Sequence, residues 1–419
     1  MAYINFTDIN NSVLIDNLER NFLVKDATKM IRRKLSSEEL LNLANEDSTK
    51  YSFYLYALYN DETIKEDLSD YVVEGGSLSI NYNSGVRRNL SISIFNAKHW
   101  SPDPVNGFLW KGSKFKLEIG IKTTLVEYVF SAGVFVLKDL EMPHKYSKNQ
   151  INLEMVDKFG ALDGTVGGGI ADDIYIPRGS NIVEVVRSLL KSEKMFGDLY
   201  DYKTPLFPSQ IYGAKTPYTI TESSGSSVGS LIIKLMSIIN LDVFYDENGR
   251  MCAEEMRENI MIDYKPSLWT FSGTDRIYDS HSMKIDFQKV ENVIVVEGAN
   301  INGDIISARV ENTNPKSPTN ITMFEPKICK ITDENIADVG SAYVRANYEL
   351  FKRSLLSVAQ TFSTTLMPWL DVNKVVTIND SYCNLNNVRF LITSIDIPIV
   401  GAIKVSVTIS NLEEVAFSG

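Results

Sequence analysis

The side chains that could do chemistry are few and lie far apart in the sequence. Histidine occurs at three positions, His99, His144 and His281, and none stands at metal-ligand spacing from another. His281 lies in the run Asp279-Ser280-His281-Ser282, which contains the residue types of a hydrolase triad. Because a triad assembles from residues distant in sequence, and because no Gly-x-Ser-x-Gly elbow is present, we expect no triad chemistry.

The three cysteines, Cys252, Cys329 and Cys383, are odd in number and widely separated. Their spacing excludes a disulfide scaffold and a zinc site of the Cys-x-x-Cys type, and it predicts synthesis in a reduced compartment. The sequence therefore predicts no catalytic, cofactor-binding or metal-binding residue, no cofactor, and a protein that is not an enzyme.

Neighbouring carboxylates occur at Glu254-Glu255 and Glu413-Glu414. Adjacent residues of a strand point to opposite faces, so neither pair is placed like that of a glycosidase, and we interpret both as solvated edges. A third acidic group, Asp333, Glu334 and Asp338, is interpreted as a helix start, with calcium binding as the alternative.

Two segments have an unusual composition. Residues 164–169 are glycine-rich but lack the Lys-Ser/Thr pair that holds a phosphate, so we predict a flexible connection there. Tyrosines crowd into residues 51–82, where they fit half-buried strands and wet binding interfaces equally well. These tyrosines are Tyr51, Tyr54, Tyr56, Tyr59, Tyr71 and Tyr82.

The overall composition is that of a globular protein. The 419 residues correspond to roughly two to four domains. Hydrophobic residues make up 44% and charged residues 23%, which excludes a mostly disordered chain. The formal net charge of −11 argues against a protein that coats nucleic acid, because phosphate binding depends on lysine and arginine. We expect neither a membrane-spanning helix nor a signal peptide, because the necessary apolar runs are missing.

Hydrophobic periodicity predicts a mainly β fold with α+β insertions. Apolar and polar residues alternate strictly in Leu90–Ile94 and Ile151–Met155, and short turns separate such runs, as in an antiparallel sandwich or small barrel. The predicted segments are an N-terminal helical arm (1–50), a first β module (51–160), a mixed α/β insertion (161–275) and a second β module with one long helix (276–419).

The arm is predicted from capping signals. Asp26 would cap a helix that includes Met30 and Ile31, and Ser36 with Glu39 forms a capping box for the next helix. The arm has too few apolar residues for a core of its own, so we expect it to pack on a neighbouring subunit or another protein.

Three further helices are predicted. Asn181 and Glu184 form a second capping box, and an apolar face recurs between Val228 and Ile239. Thr332 is predicted to start the long helix, and the apolar residues that share one of its faces are Ile336, Val339, Tyr343, Ala346 and Leu350.

Several segments, in their order and spacing, resemble the baseplate hub or tail-tip hub proteins of tailed bacteriophages and related contractile injection systems. The likeness is concentrated in residues 68–255. The segments that carry it are Leu68–Ile80, Asn83–Ile94, Phe108–Gly120, Gly133–Leu137, Met155–Gly164, and the helix–hairpin run from Ser226–Leu231 to Asp246–Gly249.

The resemblance implies two tail-tube-like antiparallel β-barrel modules that flank the mixed insertion. It also implies a homotrimer whose six modules form a pseudo-hexameric ring in the virion tail, with the tail tube or a distal tail protein above it. A spike, fibre or tape-measure protein would lie below, and DNA would pass through the lumen without specific binding. The helical arm has no counterpart in this pattern.

An acidic lumen would repel DNA phosphates. The strand residues that are candidates for such a lumen are Glu118, Asp139, Glu141 and Glu154, although solvent-facing positions are the ordinary interpretation of any single one. Two other functional classes stay open. They are a carbohydrate-binding or adhesive β protein, for which the tyrosines could be a stacking platform, and a peptidoglycan hydrolase with an unrecognised site.

Overall fold

The computed structural model divides the chain into two compact units. The first comprises Met1–Glu254, Thr365–Leu370 and Asp396–Lys404, and the second comprises Glu255–Thr364, Asp371–Ile395 and Val405–Gly419. The residues described are 29–44, 46, 50–124, 126–145, 148–191, 201–217, 219–255, 265–272, 278–299, 304–332, 336, 338–383, 385–399 and 405–412. The predicted Asp26 cap, Asp333, Glu334 and the Glu413-Glu414 pair lie outside them. The prediction of a mainly β fold is confirmed.

The first unit is built on a large antiparallel sheet. Its strands are β1 (Lys29–Ile31), β2 (Lys50–Leu58), β3 (Ile64–Asp67), β4 (Val72–Asn81), β5 (Arg88–Phe95), β6 (Lys114–Lys122), β7 (Val126–Glu141), β8 (His144–Lys145) and β9 (Lys148–Asp157). The order across the sheet is β4-β5-β9-β7-β6-β2-β3, with β1 parallel to the start of β7 and β8 beside β9.

Side-chain alternation explains why these strands form one layer over a core. In β5, Leu90, Ile92 and Ile94 are buried and the residues between them are not. Among the described residues this sheet is open rather than the closed barrel that we predicted. Its last strand, β3, has only four residues and pairs with β2 alone, so it offers little edge for closure.

The N-terminal prediction is partly wrong. Met30 and Ile31 lie in strand β1, not in a helix, because their backbone pairs in parallel with β7. The capping box is confirmed: the Ser36 amide donates to Glu39 Oε2 at 2.8 Å, at the start of helix α1 (Ser37–Ala44). The described part of the arm buries Leu35 and Leu43 on its own chain, against Ile121 of β6, rather than needing a second protein to cover them.

The insertion has a separate apolar core in the first unit. Its elements are β10 (Ile174–Ile176), α2 (Ile182–Leu190), β11 (Ile220–Glu222), α3 (Val228–Ser237), β12 (Leu241–Tyr245) and β13 (Met251–Glu255). Asn181 caps α2 as predicted, by accepting a hydrogen bond from the Glu184 amide at 3.1 Å. Ser227 and Ser230 cap α3 reciprocally. Short 3-10 helices occur at Ser69–Tyr71, Lys158–Ala161, Ser209–Ile211 and Phe287–Lys289.

The glycine-rich run, predicted as a flexible connection, is a hydrogen-bonded turn packed on the start of α3. The Val228 amide donates to the Gly168 carbonyl, and the Gly229 amide donates to the Leu162 carbonyl, both at 2.8 Å. Gly168 has φ +91°, and a Cβ there would lie 2.2 Å from the Leu162 carbonyl oxygen. Only glycine fits this position without displacing backbone.

The second unit contains two sheets. The larger has the order β15-β19-β22-β21-β20-β14, and the smaller has the order β17-β16-β18. The bounds are β14 (Trp269–Ser272), β15 (Asp279–Asp286), β16 (Val293–Ala299), β17 (Ile305–Glu311), β18 (Ile328–Thr332), β19 (Ser357–Thr364), β20 (Val375–Asp380), β21 (Leu385–Pro398) and β22 (Val405–Asn411). Helix α4 (Val339–Arg353) packs on β16 and β17.

Helix α4 begins later than predicted, and a different face of it is buried. Thr332 ends strand β18, and the helix begins at Val339, where the Asp338 side chain accepts from the Ser341 amide at 2.8 Å. The buried face contains Ala342, Ala346 and Glu349, whereas Val339 and Tyr343, which we had placed on the buried face, are exposed. Ala342 and Ala346, with the partly buried Leu350, pack on the apolar residues of β16 and β17, whereas other large apolar residues of α4 are exposed.

Candidate functional surface

Part of one face of the first unit's sheet is polar and acidic. The burial alternation that turns Leu90, Leu153 and their neighbours inward turns short polar residues outward on β4, β5, β9 and β7. We call this surface the serine–carboxylate face, and it consists of Ser77, Ser79, Asn89, Ser91, Ser93, Asn152, Glu154, Asp139 and Glu141.

The strand register aligns these residues into cross-strand rows. One row runs Ser77, Ser91, Glu154 and Asp139, and the next runs Ser93, Asn152 and Glu141. Side-chain hydrogen bonds run along each row: Ser91 Oγ donates to Glu154 Oε1 at 2.8 Å in the first, and Asn152 Nδ2 donates to Glu141 Oε2 at 3.1 Å in the second. Polar side chains on neighbouring strands are therefore hydrogen-bonded to each other within each row.

Among the described residues, no ion pair with a lysine or arginine is found for Asp139, Glu141 or Glu154. Asp139 lies directly opposite Glu154 in the register, an arrangement of like charges that lowers sheet stability. On the aligned stretches that define the face, the outward positions carry no lysine or arginine; Lys138, in the bulge of β7, is the basic residue beside them. At the β4 end, Ser79 Oγ donates to a further carboxylate, Asp396 Oδ1, at 2.6 Å.

Three of the four acidic residues predicted for a lumen lie together on this face. The fourth, Glu118, does not. It is 6% exposed, and it pairs with Lys116 at 2.6 Å and with Arg32 at 3.3 Å. Glu118 was misassigned because it is buried and paired with Arg32 and Lys116, which strand alternation alone cannot reveal.

A buried charged cluster fixes the end of β9 behind the face. Lys158 Nζ binds Glu62, Asp201 Oδ1 at 2.7 Å and the Gly249 carbonyl at 2.9 Å. Tyr245 donates its hydroxyl to Asp201 Oδ2 at 2.9 Å, and burial raises its pKa well above the usual value. Since each charge has an opposite partner, the cluster can be buried without an uncompensated ion.

Asp157, the residue before Lys158, is also buried. Its carboxylate accepts the backbone amides of Arg87 at 2.7 Å, Arg88 at 2.9 Å and Phe159 at 2.9 Å. Burial nevertheless raises its pKa to about 6. Asp157 therefore joins β5 to β9 at the edge of the face, at an electrostatic cost.

The tyrosines of residues 51–82 do not form a stacking platform. Tyr56 is buried, Tyr54 donates to Glu127 Oε1 at 2.7 Å, and Tyr82 donates to Asp242 Oδ2 at 2.6 Å. Tyr71 packs edge-on against Trp100. Tyr59 is 53% exposed, but a single exposed ring is no stacking surface for a sugar chain.

Of the other residues that the sequence analysis singled out, His281 has a neighbour that could take part in chemistry with it. Cys252 and Cys329 are free thiols, and Glu254 pairs with Arg87. His281, however, contacts Asp380, which is distant from it in the sequence. None of the helices in the described part of the chain is long and apolar enough to cross a membrane.

Comparison with solved structures identifies the architecture. A 43 kDa tail protein of prophage MuSo2 from Shewanella oneidensis is similar over 86% of this chain and 98% of its own, with a TM-score of 0.58 and 13% identity. A tail protein from Neisseria meningitidis MC58 is similar over 86% of this chain and 96% of its own, with a TM-score of 0.57 and 10% identity. Prophage tail protein gp18 from Listeria monocytogenes EGD-e is similar over 86% of this chain and 94% of its own, with a TM-score of 0.52 and 14% identity.

The chain has the fold of phage tail proteins. No protein-family model matches the sequence, and no curated protein matches it significantly. The mainly β, tail-protein fold that the sequence resemblance implied is therefore confirmed by structure, but without the closed barrels, and the sequence identities are too low to show function.

Proposed function

We propose that the protein is a structural hub of a phage tail baseplate or tail tip, and that its serine–carboxylate face lines the DNA passage. The observation that carries the proposal is the alignment of Asp139, Glu141 and Glu154 on one exposed sheet face, in a chain with the fold of phage tail proteins. The polymer that passes such a hub is polyanionic DNA.

The physical argument is that a passage should neither bind nor obstruct DNA. Carboxylates repel phosphates, and short serine and asparagine side chains offer no long cationic group that could hold the backbone. A carboxylate pair such as Asp139 and Glu154 opposes sheet stability, so this pair does not serve to hold the fold together.

We further propose a homotrimer that forms a pseudo-hexameric ring. The support is the exposed face of α4 in the second unit, which has large apolar side chains and suits contact with another copy of the chain. These side chains, with exposed fractions, are Val339 (60%), Tyr343 (55%), Val344 (70%) and Phe351 (44%).

In the virion tail, this ring would join the tail tube or a distal tail protein above to a spike, fibre or tape-measure protein below. The chain would be synthesised in the host cytoplasm and would act as a structural protein without enzymatic activity. Degradation of purified cell walls by the protein, abolished by a single substitution, would contradict the last point.

The deciding experiment combines light scattering with electron microscopy of the purified protein. A mass of three chains and images of a ring with a central hole are expected. The double variant Val344→Glu/Phe351→Glu should remain folded by circular dichroism and become monomeric, whereas Tyr382→Glu, which replaces a side chain that is 89% exposed, should still assemble. A single-chain mass even with tail partners present would refute the ring.

A further inference from the structure

Three potential metal ligands of different chemical type converge in the second unit. They are His281 of β15, Asp380 at the end of β20 and Cys383 in the turn that follows, and their ligand atoms all lie within 4.8 Å of one another. His281 Nε2 is 3.2 Å from Asp380 Oδ2. From this geometry we propose a binding site for a divalent transition metal of the zinc class.

The distances suit tetrahedral coordination. Zinc bonds of about 2.0–2.3 Å to nitrogen, oxygen and sulfur place ligand atoms about 3.3–3.8 Å apart. A metal can therefore be accommodated by small side-chain rotations, with the fourth position left to water or a partner residue. A mixed imidazole, carboxylate and thiolate set favours Zn²⁺ over Mg²⁺ or Ca²⁺, which prefer oxygen ligands alone.

The surroundings hold the ligands in place. Asp380 is 2% exposed; its Oδ1 accepts the Tyr382 amide at 2.9 Å, and its Oδ2 accepts the Tyr278 hydroxyl at 3.2 Å. Tyr278 in turn accepts a hydrogen bond from the fully buried Gln360. Such outer partners are what orients the ligands in established metal sites.

Aromatic rings orient the imidazole. His281 stacks on Tyr278 with ring centroids 5.1 Å apart and an interplanar angle of 16°, and the exposed Tyr382 meets it edge-on at 5.9 Å. The His281 side chain is 23% exposed, so an ion could enter from solvent without opening the core.

The position gives the metal a structural purpose. β15 and β20 are separated in the sheet by β19, β22 and β21. A metal held by His281 and Asp380 would therefore link two strands that share no backbone hydrogen bonds with each other. It would stabilise the sheet by joining these two strands, as structural zinc stabilises small domains. This inference does not depend on a role in a phage tail.

Cobalt(II) titration of the full-length protein, followed by visible absorption, tests the proposal. The wild type should bind one ion and develop the tetrahedral and thiolate-to-cobalt bands, and zinc should displace the cobalt. Cys383→Ser should lose the thiolate band, and Cys329→Ser, the matched control, should retain it. His281→Gln should weaken binding, and His99→Gln should leave it unchanged.

A variant of Tyr278, which donates a hydrogen bond to the ligand Asp380, separates metal binding from folding. Tyr278→Phe keeps the ring and removes the hydroxyl that donates to Asp380. The affinity of this variant for cobalt should fall by about 10- to 100-fold, with the fold intact by circular dichroism. Zinc should raise the thermal midpoint of the wild type and not that of Cys383→Ser. No binding of cobalt, a cobalt spectrum without the thiolate band, or equal binding by folded Cys383→Ser would overturn the proposal.

Discussion

At the scale of single residues, Asp157 is a buried carboxylate at the edge of the serine–carboxylate face, and its pKa predicts how stability depends on pH. It closes the end of β9 by accepting three backbone amides, yet burial raises its pKa from 3.8 to about 6. Between these two values the folded chain holds a proton that the unfolded chain has lost. The contribution of Asp157 to stability is therefore greatest below pH 3.8 and falls as the pH rises through 6.

The Asp157→Asn variant tests the direction of this pH dependence. Asparagine cannot titrate, so the unfolding free energy of the wild type minus that of the variant should fall between pH 4 and pH 7, by up to about 3 kcal/mol. Urea unfolding at several pH values, followed by circular dichroism, measures the difference. A difference that stays constant or grows with pH would contradict the assignment.

At the scale of elements, the turn before α3 depends on one glycine. Gly168→Ala should destabilise the protein by more than ~2 kcal/mol, since it adds a Cβ at positive φ against the Leu162 carbonyl. Gly164, in the same run with φ +96°, has no atom within 4 Å of an added Cβ, so Gly164→Ala provides the matched control. Thermal unfolding of both variants should give a clearly larger loss for Gly168→Ala.

Helix α1 offers a second comparison between matched variants. Leu43 is 5% exposed in the cluster around Ile121, whereas Leu41 is 50% exposed. Leu43→Ala should cost about 2–5 kcal/mol, as truncation of a buried leucine does. Leu41→Ala should change stability by about 0.5 kcal/mol or less. Equal, small losses in denaturant unfolding would instead support an arm that packs elsewhere.

At the scale of the whole molecule, the position of charge should matter more than its total. Asp139→Lys/Glu154→Lys changes the formal net charge from −11 to −7 on the serine–carboxylate face. Asp70→Lys/Asp172→Lys makes the same change at other exposed positions. Fluorescence anisotropy with duplex DNA at low salt should detect salt-sensitive binding by the first variant only.

Binding by the control variant to the same extent would mean that net charge, and not the face, governs contact with DNA. Tight binding by the wild type would contradict the proposed passage outright, because a lining that holds phosphates would retain the DNA it must release.

The sequence by itself determined the local periodicities. Strand alternation at Leu90–Ile94 and the capping residues Ser36 and Asn181 could be read directly, because these patterns depend on neighbours within a few residues. Only the tertiary structure decided which of two apolar faces of α4 is buried and that Glu118 is covered. It also placed His281 beside Asp380, 99 positions later in the chain. Such outcomes depend on contacts between distant segments, whose spacing along the chain carries no periodic signal.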